Sequence, residues 1–199
     1  MEINLILLAI ICYLIGSIPF AYILTKLFGF GDVRNIGSGN VGATNVLRMG
    51  KKELAFIVLL FDILKGFFPL IFLKNYFSTS SDEIIVYSIA SLTILGHIFP
   101  IWLKFKGGKG VATYIGYIFA INYIFGLIFI FSWLLIALIK KYSSLASIVS
   151  LIILPLSMYV MQLNKDINLL LFFISIIIII KHYSNILRLF NKTENKIKF

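Results

Sequence analysis

The chain has 199 residues, 60% of them hydrophobic and only 13% charged, with a mean hydropathy of +1.02. An ordinary globular domain is about 45–50% apolar and about 25% charged, so both figures exclude a water-soluble domain. The 18 Lys and Arg against 8 Asp and Glu give a net charge of +10. In a soluble chain that charge would suggest nucleic acid; in a membrane chain bases gather in cytoplasmic loops, which accounts for most of it, and no nucleic acid is expected as partner.

Apolar runs occupy approximately 4–25, 54–73, 84–103, 111–139, 143–162 and 167–180. A bilayer crossing takes about 20 such residues, so the length leaves no room for a soluble domain and predicts one membrane-embedded domain over 1–199. The first run follows Glu2 rather than a basic segment and ends without a small-x-small cleavage site, so it is expected to be a retained helix. Its Cys12 is the single cysteine, which excludes an intramolecular disulfide and a cysteine metal cluster.

The run 111–139 is too long for one helix, and Asn122 and Gly126 near its middle predict a turn between two short ones. Seven crossings with the N-terminus outside put Lys26, Arg34, Arg48, Lys51 and Lys52 inside. They do the same for Lys104, Lys106, Lys109, Lys140, Lys141 and the tail from Lys181, and leave Lys74 and Lys165 outside. Six crossings would export Lys140, Lys141 and the tail. The expected fold is therefore an all-α integral membrane protein of seven transmembrane helices, its C-terminus cytoplasmic and its polar basic segments together at the cytoplasmic face.

Three segments carry chemistry. The first, Arg34 to Arg48, sets Gly37, Gly39 and Gly42 among Ser38, Asn40, Thr44 and Asn45. Glycines permit positive φ and close backbone approach, so successive N–H groups form an anion-binding concavity, and the hydroxyls and amides add neutral donors. Gly37 to Gly42 also fits G-x-G-x-x-G, but a membrane helix precedes it where the dinucleotide fingerprint requires a strand. The alternative is a flexible Gly/Asn loop.

The second segment runs from Gly96-His97 to Thr113. Gly107-Gly108-Lys109-Gly110 leads straight into a helix, an arrangement that offers N–H groups and the positive end of the dipole to an anion, with Lys109 adding a charge. It lacks the upstream glycine and the Ser/Thr of a Walker A loop, so no nucleotide is implied. His97 reads either as helix-end packing before Pro100 or as a site residue.

The third segment, Lys181 to Arg188, closes the last run. His182, Asn185 and Arg188 recur every third residue, so on a helix they form one polar edge. The alternative is an interfacial helix held to anionic lipid by its bases. Asp62 and Lys65, spaced i,i+3 within a span, read either as a mutual salt bridge or as support for the site. No paired carboxylates, zinc constellation or G-x-S-x-G occurs, so neither a metal nor serine-hydrolase chemistry is expected.

These segments, in this order, resemble the bacterial membrane acyl-phosphate:glycerol-3-phosphate acyltransferases, the PlsY family. Gly16-Ser17-Ile18-Pro19-Phe20 with Ile36 to Asn40 and Asn45 to Arg48 matches the first motif, and Gly96-His97 with Gly107 to Thr113 the second. His182, Asn185, Ile186, Arg188 and Leu189, with Thr193-Glu194 behind, match the third. The tail departs from the family where His-Arg-Glu-Asn reads His182-Tyr183-Ser184-Asn185 and where Lys192 replaces a glycine.

The resemblance implies transfer of an acyl group from acyl phosphate, without a cofactor, to the 1-hydroxyl of glycerol-3-phosphate, giving lysophosphatidic acid and phosphate. It implies a multi-pass protein of the bacterial inner membrane, in contact with membrane lipid, its site facing the cytoplasm. Ser38, Lys109 and His182 are then the expected catalytic residues. Gly37, Gly39, Asn40, Gly42, Thr44, Asn45, Arg48, Gly107, Gly108, Gly110, Asn185 and Arg188 are the expected substrate-binding ones. A rival reading is a small-anion or phosphate-ester transporter, since glycine-rich breaks also line transport sites, although those usually lie near the midplane.

Overall fold

A computed structural model of the chain describes residues 4–77, 83–161 and 164–197, and within these the regular elements are helices. Glu2, Gln162 and Lys198, which enter the sequence reading, lie outside the described residues. The chain divides into two compact units, Met1–Ala120 and Ile121–Phe199.

The first unit contains α1 (Leu5–Ser17), α2 (Phe20–Leu27), α3 (Ala43–Arg48), α4 (Lys52–Tyr76), α5 (Glu83–Ile98) and all but the last residue of α6 (Val111–Ile121). Asn4 starts α1 by accepting the Ile6 N–H on its side-chain oxygen at 2.9 Å. Pro19 has no N–H to continue the ladder, so the apolar run 4–25 breaks there into α1 and α2, bent by 43°. α1 and α5 pack backbone to backbone: a Cβ on Gly16 would strike the Thr93 carbonyl, and one on Gly96 the Tyr13 carbonyl. Small residues at such crossings are how membrane helices gain contact when lipid supplies no hydrophobic drive. Tyr13 adds a hydrogen bond from its hydroxyl to the Phe99 carbonyl at 2.7 Å.

The 28–42 loop is seated by an apolar cluster of Ala21, Val33, Val41, Val46, Leu54, Ala55, Val58 and Leu103. Burying its valines anchors a segment whose polar residues would otherwise leave it mobile. The loop's position therefore follows that of α2 and α4, which supply half of the cluster.

In the second unit, α7 (Tyr123–Lys140), α8 (Ser143–Val160), α9 (Lys165–Ile180) and α10 (Tyr183–Phe190) follow in order. The turn expected near Asn122 is present: its side chain accepts the Ile124 N–H at 2.9 Å and starts α7. α7 and α8 are joined within the apolar layer by Ser132 to Ser150 at 2.9 Å and by the Trp133 indole N–H to Ser147 at 3.1 Å. The tail returns to this unit, the Ile197 N–H donating to the Lys141 carbonyl at 2.7 Å.

Among the described residues four stretches are long and apolar enough to cross a membrane: Lys52–Tyr76, Glu83–Leu103, Tyr123–Lys140 and Ser143–Val160. Two bent pairs, α1 with α2 and α9 with α10, raise that to six. α6 is an apolar helix of 11 residues, about 16 Å long against a hydrocarbon core of about 30 Å. Exposed Phe56, Phe68, Phe72, Phe131, Leu138 and Val160 give the helices the apolar exterior that lipid requires.

Candidate active site

The loop before α3 is held by one side chain. Asn45 is 1% exposed, and its amide nitrogen donates to the carbonyls of Val33 at 2.8 Å and Ile36 at 2.9 Å. Its oxygen accepts the Ser38 N–H at 3.0 Å and lies 3.4 Å from the Ser38 hydroxyl. Gly37 and Gly39 take φ of 59° and 68°, and a Cβ on Gly37 would meet the Asn45 oxygen. Asn45 was expected to bind substrate; its amide is instead occupied within the loop, and it is Ser38 that the loop leaves exposed.

Arg48, in the last turn of α3, runs alongside Gly37, so Ser38 and Arg48 flank the same glycine. Gly42 is the N-cap of α3, Thr44 is exposed in its first turn, and Asn40 is half-buried. Arg34, the other arginine of the segment, is clamped by Asp32: Nη2 lies 2.6 Å and Nε 3.1 Å from Oδ2, and the guanidinium stacks on the Tyr22 ring. That bond holds the Asp32 carboxyl down at about 2, so the clamp persists at any working pH.

The second segment is a turn folded back on the end of α5. The Gly107 N–H donates to the Ile98 carbonyl at 3.2 Å and the Gly108 N–H to the His97 carbonyl at 3.1 Å. These two N–H groups are thus engaged in the turn, which corrects the expectation that they point at an anion. The reason is that α5 ends at Ile98, two residues before Pro100, and its last carbonyls need donors. A Cβ on Gly108 would collide with the His97 imidazole, so that position has no room for another residue. Lys109 follows, half-buried, and Gly110 (φ 93°) begins the entry to α6.

Beneath this turn lies a narrow cleft of about 10 Å³, lined among others by Ser17, Val41, Asp62, Lys65, His97 and Gly108. That is room for about one water molecule and not for a phosphate. Lys65 Nζ lies 2.8 Å from Asp62 Oδ1, the ion pair foreseen from the i,i+3 spacing, and His97 Nδ1 is 3.5 Å from the same oxygen. His97, which has no acidic neighbour in sequence, acquires one 35 positions away through the packing of α4 on α5.

In the second unit, His182 is 2% exposed and its Nδ1 stands 2.8 Å from the Ile178 carbonyl. A carbonyl only accepts, so in the neutral ring Nδ1 carries the proton and Nε2 is the basic nitrogen. Asn185 Nδ2 and the Ser144 hydroxyl donate to Glu194 Oε1 at 2.9 and 3.0 Å, and Arg188 Nε donates to Oε2 at 2.7 Å. Burial raises the Glu194 pKa, but bonds from Arg188, Asn185 and Ser144 outweigh it and hold the carboxyl below its usual range. The polar edge read from the spacing therefore exists, with Asn185 inward and Tyr183, Leu187 and Phe190 exposed on the other side.

Asp32 and Glu194 have structural roles that their motif positions alone did not reveal. Asp32 had a readable signal, an acid two residues before Arg34; Glu194 depends on the tail folding back on α8 and α10. Among the described residues no group of three His, Cys, Asp or Glu side chains is placed to hold a metal ion.

Fold and site define an all-helical membrane protein with donor-rich loops packed against its membrane helices. Residues 6–192 match the family model described as glycerol-3-phosphate acyltransferase. A glycerol-3-phosphate acyltransferase of Pelagibacter ubique is 48% identical over 194 residues, covering 97% of each chain. One from Mesorhizobium japonicum is 46% identical over 197 residues, covering 99% of this chain and 98% of the relative. The crystal structure of PlsY (YgiH), an integral membrane glycerol 3-phosphate acyltransferase, in its glycerol 3-phosphate form matches with a TM-score of 0.91 at 39% identity, over 98% of this chain and 96% of that one. Its lysophosphatidic acid form matches with a TM-score of 0.88 at 37% identity, over 98% and 95%. The chain belongs to the glycerol-3-phosphate acyltransferase family.

Proposed function

We propose that this protein acylates the 1-hydroxyl of glycerol-3-phosphate, using acyl phosphate as donor and releasing lysophosphatidic acid and inorganic phosphate. The observation that carries the reading is the Asn45-braced loop, which places Ser38 and Arg48 on either side of Gly37. A hydroxyl and a guanidinium suit a phosphate dianion.

Acyl phosphate is a mixed anhydride, already activated, so no enzyme nucleophile is required. The glycerol oxygen attacks the acyl carbon, the bond from that carbon to the phosphate oxygen breaks, and phosphate departs with the bonding pair. The hydroxyl proton passes to a substrate phosphate or to His182 Nε2. Ser38 and Lys109 hold the acyl phosphate and stabilise the departing charge, on a loop that Gly37 and Gly39 shape. Arg48, His182, Asn185 and Arg188 orient glycerol-3-phosphate, and Asn40, Gly42, Thr44, Gly107, Gly108 and Gly110 shape the binding loops.

The whole chain works as one acyltransferase domain in the bacterial inner membrane. It crosses seven times, α1 with α2 as one crossing and α6 as a short one, with the N-terminus outside and the site open to the cytoplasm. The excess of basic residues in the loops assigned inside supports this orientation. Purified protein given acyl phosphate and labelled glycerol-3-phosphate is expected to form lysophosphatidic acid without coenzyme A, carrier protein or nucleotide. Activity with acyl-coenzyme A alone would overturn the donor assignment.

A further inference from the structure

We propose that Asp62, Lys65 and His97 act as a buried positioning hub that holds the helix break at Ile18–Pro19 and the Gly107–Lys109 turn in fixed relation to each other. The inference rests on the reaction proposed above and concerns residues to which that reaction gives no role. Ionisable side chains within a membrane span are expensive and are retained where they serve a site or a partner. Asp62 and Lys65 are 2% and 5% exposed, and the two alone would satisfy each other at 2.8 Å along one face of α4.

Their contacts extend further, in two directions. Lys65 Nζ donates to the Ile18 carbonyl at 2.8 Å and stands over the Phe20 ring at 5.4 Å, so it grips both sides of the Pro19 break. That break sets the direction of α2, and Ala21 of α2 shares a buried cluster with Val33 and Val41 of the loop that carries Ser38. In the other direction, Asp62 meets His97 Nδ1 at 3.5 Å. The His97 ring abuts Gly108 and its carbonyl accepts the Gly108 N–H, one residue before Lys109.

A single turn of α4 thus bears on both segments that carry the phosphate-type donors of this unit, on the second through His97 and on the first through the Pro19 break and α2. An ion pair kept only to neutralise itself would need neither the Ile18 carbonyl nor His97. The three side chains are positioning residues: they touch Ile18, at the break that directs α2, and the turn that presents Lys109.

The test is kinetic. In Asp62→Leu/Lys65→Met the charges leave together, and an apolar replacement of a buried pair is commonly tolerated by the fold. With the variant shown monodisperse in detergent, KM for acyl phosphate or glycerol-3-phosphate is expected to rise about tenfold, a change that a smaller active fraction cannot produce. His97→Phe is expected to raise KM in the same way, and His97→Asn, which keeps a donor toward Asp62, to restore most of the loss. A folded double variant with both KM values within about threefold of the parent overturns the hub. Should the double variant not fold, His97→Phe decides by the same criterion. Failure of the underlying reaction is seen separately, as a parent protein that forms no product.

Discussion

The side-chain oxygen of Asn45 accepts the backbone N–H of Ser38 at 3.0 Å across a seven-residue separation, and this bond gives the loop its shape. Asn45→Ala would leave the Val33 and Ile36 carbonyls and the Ser38 N–H without that partner. Of the three residues only Val33 is buried, and a buried group that loses its partner costs about 1–3 kcal/mol. The variant is expected to melt earlier and to turn over poorly. Asn45→Asp is expected to behave similarly, since a carboxylate cannot donate to the two carbonyls; thermal unfolding in detergent alongside the acylation assay checks both.

Ser38→Ala separates the hydroxyl from the loop, because the backbone bond to Asn45 survives. Removing one preorganised donor of this kind costs about 10²–10³ in rate. Ser38→Ala and Lys109→Ala are both expected to lose at least that while inserting like the parent. Near-parent turnover of either would remove that residue from the proposed mechanism.

Glu194 makes the second unit sensitive to acid. Its carboxyl is held below the usual 4.5 by bonds from Arg188, Asn185 and Ser144 that outweigh the effect of burial. A depressed folded-state value means the stabilisation is fully present above pH 4.5 and is lost as pH falls through the lower folded value. The melting temperature of the parent should therefore decline on acidification over that window. Glu194→Gln should start lower at neutral pH and decline less, and parallel curves for the two proteins would contradict the assignment.

The α1–α5 crossing tolerates no side chain at Gly16 or Gly96, because each faces a carbonyl of the other helix. Gly16→Leu and Gly96→Leu should force the helices apart and give aggregated protein on size-exclusion chromatography in detergent. Phe131→Leu, on the exposed side of α7, should leave the elution profile unchanged.

Much of the fold is legible because its cues are local. Pro100 and Asn122 mark helix ends by what their own backbone or side chain can bond, and the charge pair Asp62–Lys65 sits one turn apart on one helix, whereas the run 4–25, read as a single helix, is broken at Pro19. The composition of Arg34–Arg48 also identifies a donor-rich loop correctly. Composition does not say which donors are already engaged: Arg34 is taken by Asp32, Asn45 by the loop, and the Gly107 and Gly108 N–H groups by the end of α5. Those assignments depend on which groups meet, and chain order does not contain that.

By itself, the sequence determined that this is an all-helical membrane protein with three donor-rich segments of acyltransferase type. Hydropathy, proline and glycine act over a few residues, within reach of reading along the chain. Only the tertiary structure decided that His97 has Asp62 as its acidic neighbour, and that Glu194 secures Asn185, Arg188 and Ser144 together. Contacts between residues tens of positions apart exist only after helices pack, because close packing rather than chain order selects which polar groups share a buried space.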